Sequence, residues 1–167
     1  SDAGSFYYYA TCTTANGAVA TSGVSGAITV NALPVISSQP SVSAQAICIN
    51  GTATPLSVTA SAGSGTLYRY KWYSNSTSST TGGTLEATTF STATTNTYTP
   101  DTTISGTKYY YAEVTNSNGC LVNSAVSGAV TISPPSVGGT ASSSNLFLAS
   151  GGQPTITLSG NTGAIVW

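Results

Sequence analysis

The side chains able to do acid–base, nucleophilic or metal chemistry are few. Asp2, Glu86, Asp101 and Glu113 are the carboxylates, Arg69, Lys71 and Lys108 the cations, Cys12, Cys48 and Cys120 the thiols, and the 167 residues hold no histidine. A Ser-His-Asp relay therefore lacks its base, and a zinc site lacks imidazoles and any closely spaced cysteine pair. Four acids scattered along the chain do not supply the paired carboxylates of a glycosidase, nor the several carboxylates that a dedicated calcium site gathers around a residue such as Asp101. No catalytic residue, metal or cofactor is expected, and the chain reads as something other than an enzyme. What remains is thiol chemistry at the cysteines and recognition by aromatic and charged surface groups.

Composition narrows the setting in which such groups would act. Only 4% of residues are charged, against roughly 25% in an average soluble protein, so hydroxyls and amides must carry the surface. Three cations and a net charge of −1 provide no basic face for nucleic acid. No apolar run approaches the roughly 18 residues that span a bilayer, and direct membrane insertion is not expected. The first residues show neither Met nor a basic segment followed by an apolar one, so the sequence reads as the interior of a longer chain. Low charge with abundant Thr and Tyr suits an exported, extracellular β-protein.

The elements that position these residues are announced by an internal repeat. YYYATCTTANGAVATSGVSGAITV at 7–30 aligns without gaps on YYYAEVTNSNGCLVNSAVSGAVTI at 109–132, an offset of 102 with 13 identities in 24 positions. A period near 100 residues is too long for a solenoid and fits a small sandwich domain. Period-two alternation marks half-buried strands at Leu56/Val58/Ala60, Tyr68/Tyr70/Trp72, Tyr110/Ala112/Val114 and Val126/Gly128/Val130/Ile132, with turns at Asn16-Gly17, Gly82-Gly83 and Asn118-Gly119. The expected fold is all-β, as tandem β-sandwich domains. Residues 1–32 supply the last two strands of one unit, 33–132 a complete unit, and 133–167 the first strands of a third, ending on Trp167. Pro34 and Pro134-Pro135 stiffen the two junctions. A lone hairpin is marginal in water, so the natural chain is expected to continue at both ends.

The middle unit resembles the immunoglobulin pattern. Val58 takes the inward place of the first core cysteine, Trp72 follows 14 residues later on the third strand, and Ala112 in Tyr110-Tyr111-Ala112 takes the place of the second cysteine. Packing of Val58 against Ala112, with Trp72 and Tyr110, replaces the inter-sheet disulfide. The wording of the repeats, in ICINGTATPLSVTAS at 47–61, YKWYSNSTSSTTGGTL at 70–85, TYTPDTTISGTKYYYAEVTNSNGC at 97–120 and SAVSGAVTI at 124–132, resembles the tandem immunoglobulin-like repeats of giant Bacteroidota cell-surface adhesins, including those of gliding motility. That resemblance implies export by the type IX secretion system, an outer-membrane-associated filament, and as partners the neighbouring repeats, surface glycans or the gliding and secretion machinery. Asp101-Thr102-Thr103 also resembles the O-glycosylation signal of exported Bacteroidota proteins, which would place a sugar on Thr102.

On this strand assignment Cys48 ends the first strand and Cys120 opens the last. They lie at opposite ends of one sandwich, about 20 Å apart, beyond the roughly 7 Å that a disulfide allows between Cα atoms. Two possibilities stay open, free thiols or a bridge across a junction to another repeat, although Ala149 and Ala18 occupy the matching positions here. Cys12 aligns with inward-facing Val114 and is expected to be a small buried core residue. With Tyr70, Trp72, Tyr110 and Ala112 inward, Arg69, Lys71, Tyr73, Tyr109, Tyr111 and Glu113 share the outer face. That face is either ordinary cross-strand pairing, with Glu113 meeting Arg69 or Lys71, or a shallow platform for a glycan or partner filament. The expected role is the stalk of a surface adhesin. The rivals are a carbohydrate-binding module of a secreted enzyme and a self-assembling fibre subunit.

Overall fold

The computed structural model describes residues 2–143, 150–153 and 155–164, so the expectations for Ala149 and Trp167 fall outside the described residues. Every regular element described is a β-strand. The N-terminal stretch carries β1 (Gly4–Phe6), β2 (Thr11–Thr13), β3 (Val19–Thr21) and β4 (Ile28–Val30), in which β1 pairs β4 and β2 pairs β3, both antiparallel. Together they make one long interrupted hairpin.

The middle stretch holds β5 (Val35–Ser38), β6 (Gln45–Cys48), β7 (Leu56–Ser61), β8 (Tyr68–Asn75), β9 (Thr84–Ser91), β10 (Thr95–Tyr98), β11 (Gly106–Asn116), β12 (Leu121–Asn123) and β13 (Val130–Ser133). They form two sheets, one in the order β10-β7-β5 and the other β6-β13-β11-β8-β9, with β12 also on β11. All pairs are antiparallel except β6 with β13. Period-two patterning explains how the sheets meet: β7 buries Leu56, Val58 and Ala60, β8 buries Tyr68, Tyr70 and Trp72, and β11 adds Tyr110, Ala112 and Val114 to the same core. Val58 on the small sheet and Ala112 on the large one are both fully buried in that cluster.

The aromatic core is tied by its polar tips. Tyr68 donates its hydroxyl to the Ala60 carbonyl at 3.1 Å, Tyr70 to the Ala93 and Thr94 carbonyls at 2.9 Å, and the Trp72 indole to Asn96 Oδ1 at 2.8 Å. Each bond reaches the smaller sheet or the segment leading into it, so large rings that fill the interior leave no buried donor unsatisfied.

The last strand differs from its alternating pattern. Residues 124–129 are not a strand, and Ser124 and Ser127 replace the missing ladder. Ser124 Oγ accepts the Ala112 amide at 2.9 Å and donates to the Ala125 carbonyl, while Ser127 Oγ accepts the Tyr110 amide at 3.0 Å and donates to the Gly128 carbonyl. Both serines are buried. The N-terminal hairpin repeats this arrangement at the offset of 102: Gly4↔Val30 matches Gly106↔Ile132, Thr11↔Thr21 matches Glu113↔Asn123, and Ser22 and Ser25 bond Ala10 and Tyr8 as Ser124 and Ser127 bond Ala112 and Tyr110. Toward the C-terminus, β14 (Thr140–Ser143) pairs antiparallel with β15 (Ile156–Ser159), and Val137 bridges Thr162.

Between β4 and β5 the junction Asn31–Pro34 is docked against the upper end of the sandwich. Ala32 donates its amide to Ser64 Oγ at 2.8 Å, and its carbonyl accepts Asn116 Nδ2 at 3.2 Å. Asn118 Nδ2 reaches Asn31 Oδ1 at 3.3 Å, and Pro34 is buried. Gly63 makes the approach possible. At φ +61 it occupies the left-handed region, and a Cβ there would stand 2.3 Å from the Leu33 carbonyl oxygen.

Candidate functional site

The outer face of the large sheet is built by β8 and β11 in register, with Lys71 opposite Glu113 and Tyr73 opposite Tyr111. Glu113 is clasped by both cations, Lys71 Nζ at 3.4 Å and Arg69 at 3.8 Å. Arg69 also donates to Thr115 Oγ1 at 3.3 Å, while its Nε is buried with no hydrogen-bond partner. Tyr73 and Tyr111 stack at 5.1 Å between ring centroids, 11° from parallel. Tyr111 is a correction to the platform reading, because only 5% of it is exposed. The turn at Gly83 closes over it: a Cβ on Gly83 would lie 3.0 Å from the Tyr111 ring and 3.1 Å from Tyr73. Tyr109, opposite Asn75, is half-buried. The aromatic and charged groups of this face thus meet one another more than they meet solvent.

Beside them a row of side chains, from exposed Phe90 to exposed Leu121 through half-buried Arg69 and buried Thr115, crosses the sheet near its upper end. Phe90 pairs with Arg69, Arg69 with Thr115 and Thr115 with Leu121, and together with Leu67 they flank a shallow groove of about 350 Å³. Phe90 is 67% exposed.

A second cluster, not singled out in the sequence, lies at the lower end. The register of β8 and β9 slips at Trp72/Tyr73, leaving Glu86 as the extra residue of a bulge. Its carboxylate turns in to accept Ser74 Oγ at 2.6 Å and Lys108 Nζ at 3.0 Å. Burial would raise the Glu86 carboxyl, but the hydrogen bonds from Ser74 and Lys108, the Lys108 charge and the Tyr98 hydroxyl hold it below its ordinary range. Tyr98 answers in the opposite sense, pushed up to about 12 by burial and by the Glu86 and Asp101 charges. Next to this cluster opens a cavity of about 500 Å³, lined among others by Asp101, Ile104, Lys108 and Tyr110. The signal available in the sequence was the scarcity of acids, since Glu86 is one of only four and sits amid Thr and Ala. Only a bulge, invisible to period-two reading, turns it inward. Among the described residues no three His, Cys, Asp or Glu side chains gather as metal ligands.

The three thiols are free. Cys48 is exposed at the lower end, opposite Ser133, while Cys120 is half-buried at the upper end, where its amide bonds Asn116 Oδ1. The full length of β11 separates them. Cys12 is a further correction, since it is exposed rather than buried. Val114, its counterpart, lies under the second sheet of the sandwich, whereas among the described residues β2 pairs only with β3 and no second sheet covers it. Thr102 is half-buried and its hydroxyl donates to the Gly51 carbonyl at 2.8 Å, a bond that a sugar on that oxygen would break.

No curated protein matches the chain. A family model described as "Domain of unknown function (DUF8696)" matches residues 39–134, which runs from just after β5 to just past β13 and covers more than half of the sequence. Its extent coincides with the sandwich except for the first strand, and the chain belongs to that family.

Proposed function

We propose that this chain is a segment of the stalk of a secreted cell-surface adhesin, a row of immunoglobulin-like units that holds an adhesive part away from the outer membrane in surface attachment and gliding motility. The observation that carries this reading is the repetition of one register and one pair of serine bonds, at an offset of 102 residues, on both sides of a docked four-residue junction. A fold used once needs no such joint. The three-stranded sheet facing β6-β13-β11-β8-β9, with Trp72 on the third strand of the core, supports the immunoglobulin-like assignment. Low charge and the wording of the repeats support export and the gliding context. The polar groups of the outer face are engaged with one another, which favours a supporting role over ligand capture.

Two measurements test this. Small-angle scattering of the chain should give a radius of gyration well above the about 15 Å of a compact 167-residue globule. Antibodies against the chain should label intact cells of the source organism; labelling that appears only after lysis would overturn the reading.

A further inference from the structure

The cavity of about 500 Å³ at the lower end of the sandwich is lined by a buried polar side chain that the fold does not use. Tyr110 is 2% exposed, and its ring is fixed against Tyr98 at 5.5 Å between centroids. Other core tyrosines direct their hydroxyls to carbonyls, Tyr68 to Ala60 and Tyr70 to Ala93 and Thr94, whereas the Tyr110 hydroxyl meets no hydrogen-bond partner among the described residues. That oxygen is not sealed in, because Arg69 Nε is the one buried side-chain polar atom without a partner among those residues. It opens into the cavity that Tyr110 lines, where a bound molecule can supply the missing bond. Further groups along the same lining have capacity left. Asn75 commits its Nδ2 to the Ser79 and Thr81 carbonyls and keeps Oδ1 without a partner among the described residues, and Lys108 keeps ammonium protons beyond the one that Glu86 accepts.

We infer that this cavity binds a neutral sugar, a pyranose glycoside with adjacent hydroxyls. Its size falls within the roughly 300–1,000 Å³ of small-molecule sites. Asp101 and Lys108 both line it, and Lys108 is already held by Glu86. Those two acids and one base leave a net negative charge, which disfavours an anion, while a cation would have to share the space with the Lys108 ammonium. A sugar hydroxyl avoids both difficulties because it donates as well as accepts. It can donate to the Asp101 carboxylate or Asn75 Oδ1 and accept from Lys108 Nζ or the Tyr110 hydroxyl. Ile104, which is 74% exposed, and Ile132 line the same cavity and offer methyl groups to the C–H face of a sugar ring. A lipid chain would cover those methyls but leave the surrounding polar groups unpaired. This inference is independent of the stalk reading, and the site is separate from the outer face of the large sheet.

Titration of the isotope-labelled full chain with the methyl glycosides of glucose, galactose, mannose and N-acetylglucosamine, followed by backbone amide shifts, tests it. At least one glycoside should move the amides of 74–76 and 104–108 in a saturable way, with an affinity in the millimolar range. Tyr110→Phe should weaken that affinity about 5-fold and keep the parent's melting temperature, since the hydroxyl holds nothing within the protein. Tyr73→Phe, on the outer face, should bind as the parent does. The absence of a saturable shift with every one of these glycosides overturns the inference, and so do shifts confined to the outer face or tighter binding of methyl glucuronide than of methyl glucoside. Unchanged affinity in Tyr110→Phe overturns it as well, as does a lowered melting temperature, which would show the hydroxyl bonded inside the fold.

Discussion

Ser22 and Ser124, 102 positions apart, make the same bond: each accepts a backbone amide at 2.9 Å, from Ala10 and from Ala112 respectively. Their surroundings differ, because Ser124 is buried beneath the sandwich and Ser22 is exposed on a two-layer-less hairpin. The pair separates what a hydrogen bond is worth in place from what it is worth beside water. Ser124→Ala strands the buried Ala112 amide and should cost about 1–3 kcal/mol in urea unfolding of the sandwich. Ser22→Ala should cost a few tenths at most, since water can take over its role.

Asn116 holds the upper end together. Its amide donates to the Ala32 and Ala62 carbonyls, and its Oδ1 accepts the amides of Asn118 and Cys120. Asn116→Ala leaves the Asn118 and Cys120 amides to find new partners, while the Ala32 and Ala62 carbonyls keep the amides of Ser64 and Gly65, and should destabilise the sandwich by about 1–3 kcal/mol. Faster hydrogen exchange of the Ala32 amide would show that the junction had been released as well. Gly63→Ala should release it by another route, through the clash with the Leu33 carbonyl.

Acid should weaken the fold through Glu86. Its carboxyl is held below the ordinary 4.5 in the folded chain, so the stabilisation is fully present above 4.5 and is lost as the pH falls through the depressed folded value. Glu86→Gln should cost roughly 1.5–3 kcal/mol near neutrality and flatten the acid limb of a stability–pH curve. A limb as steep as the parent's would place the acid sensitivity elsewhere.

Base should act through the core tyrosines. Tyr70 and Tyr98 are both raised from 10.0 to about 12, mainly by burial, so the neutral rings stabilise the fold fully below 10.0 and that contribution is lost as the pH rises toward 12. Phenolate absorbance of Tyr70 and Tyr98 should therefore appear only above 10.0 and together with loss of structure. Tyr70→Phe removes the hydroxyl's shared hydrogen bond to the Ala93 and Thr94 carbonyls in the segment leading into β10 and should lower the melting temperature while reducing that late absorbance.

The interior of the fold was legible in the sequence because period-two burial depends on neighbours along a strand, and Val58, Trp72, Tyr110 and Ala112 all lie on such stretches. Pairing of Glu113 with the cations on β8 could be read for the same reason. What escaped depends on departures from regularity. The bulge that turns Glu86 inward shifts parity by one residue. The serine bonds replace a strand with side chains in a segment whose alternation continued through Val126 and Gly128. The burial of Tyr111 comes from a turn, at Gly83, distant in sequence. Cys12 was misplaced because alignment transfers a residue's position without the sheet that covers it.

The parallel pairing of β6 with β13 couples the second strand of the sandwich to its last, with Gln45 beside Val130 and Cys48 beside Ser133. A pull on Gln45 and Ser133 would draw these two strands past each other along their length. Their cross-links would then be strained simultaneously instead of peeling open in succession, and the sandwich should resist stretching at that seam.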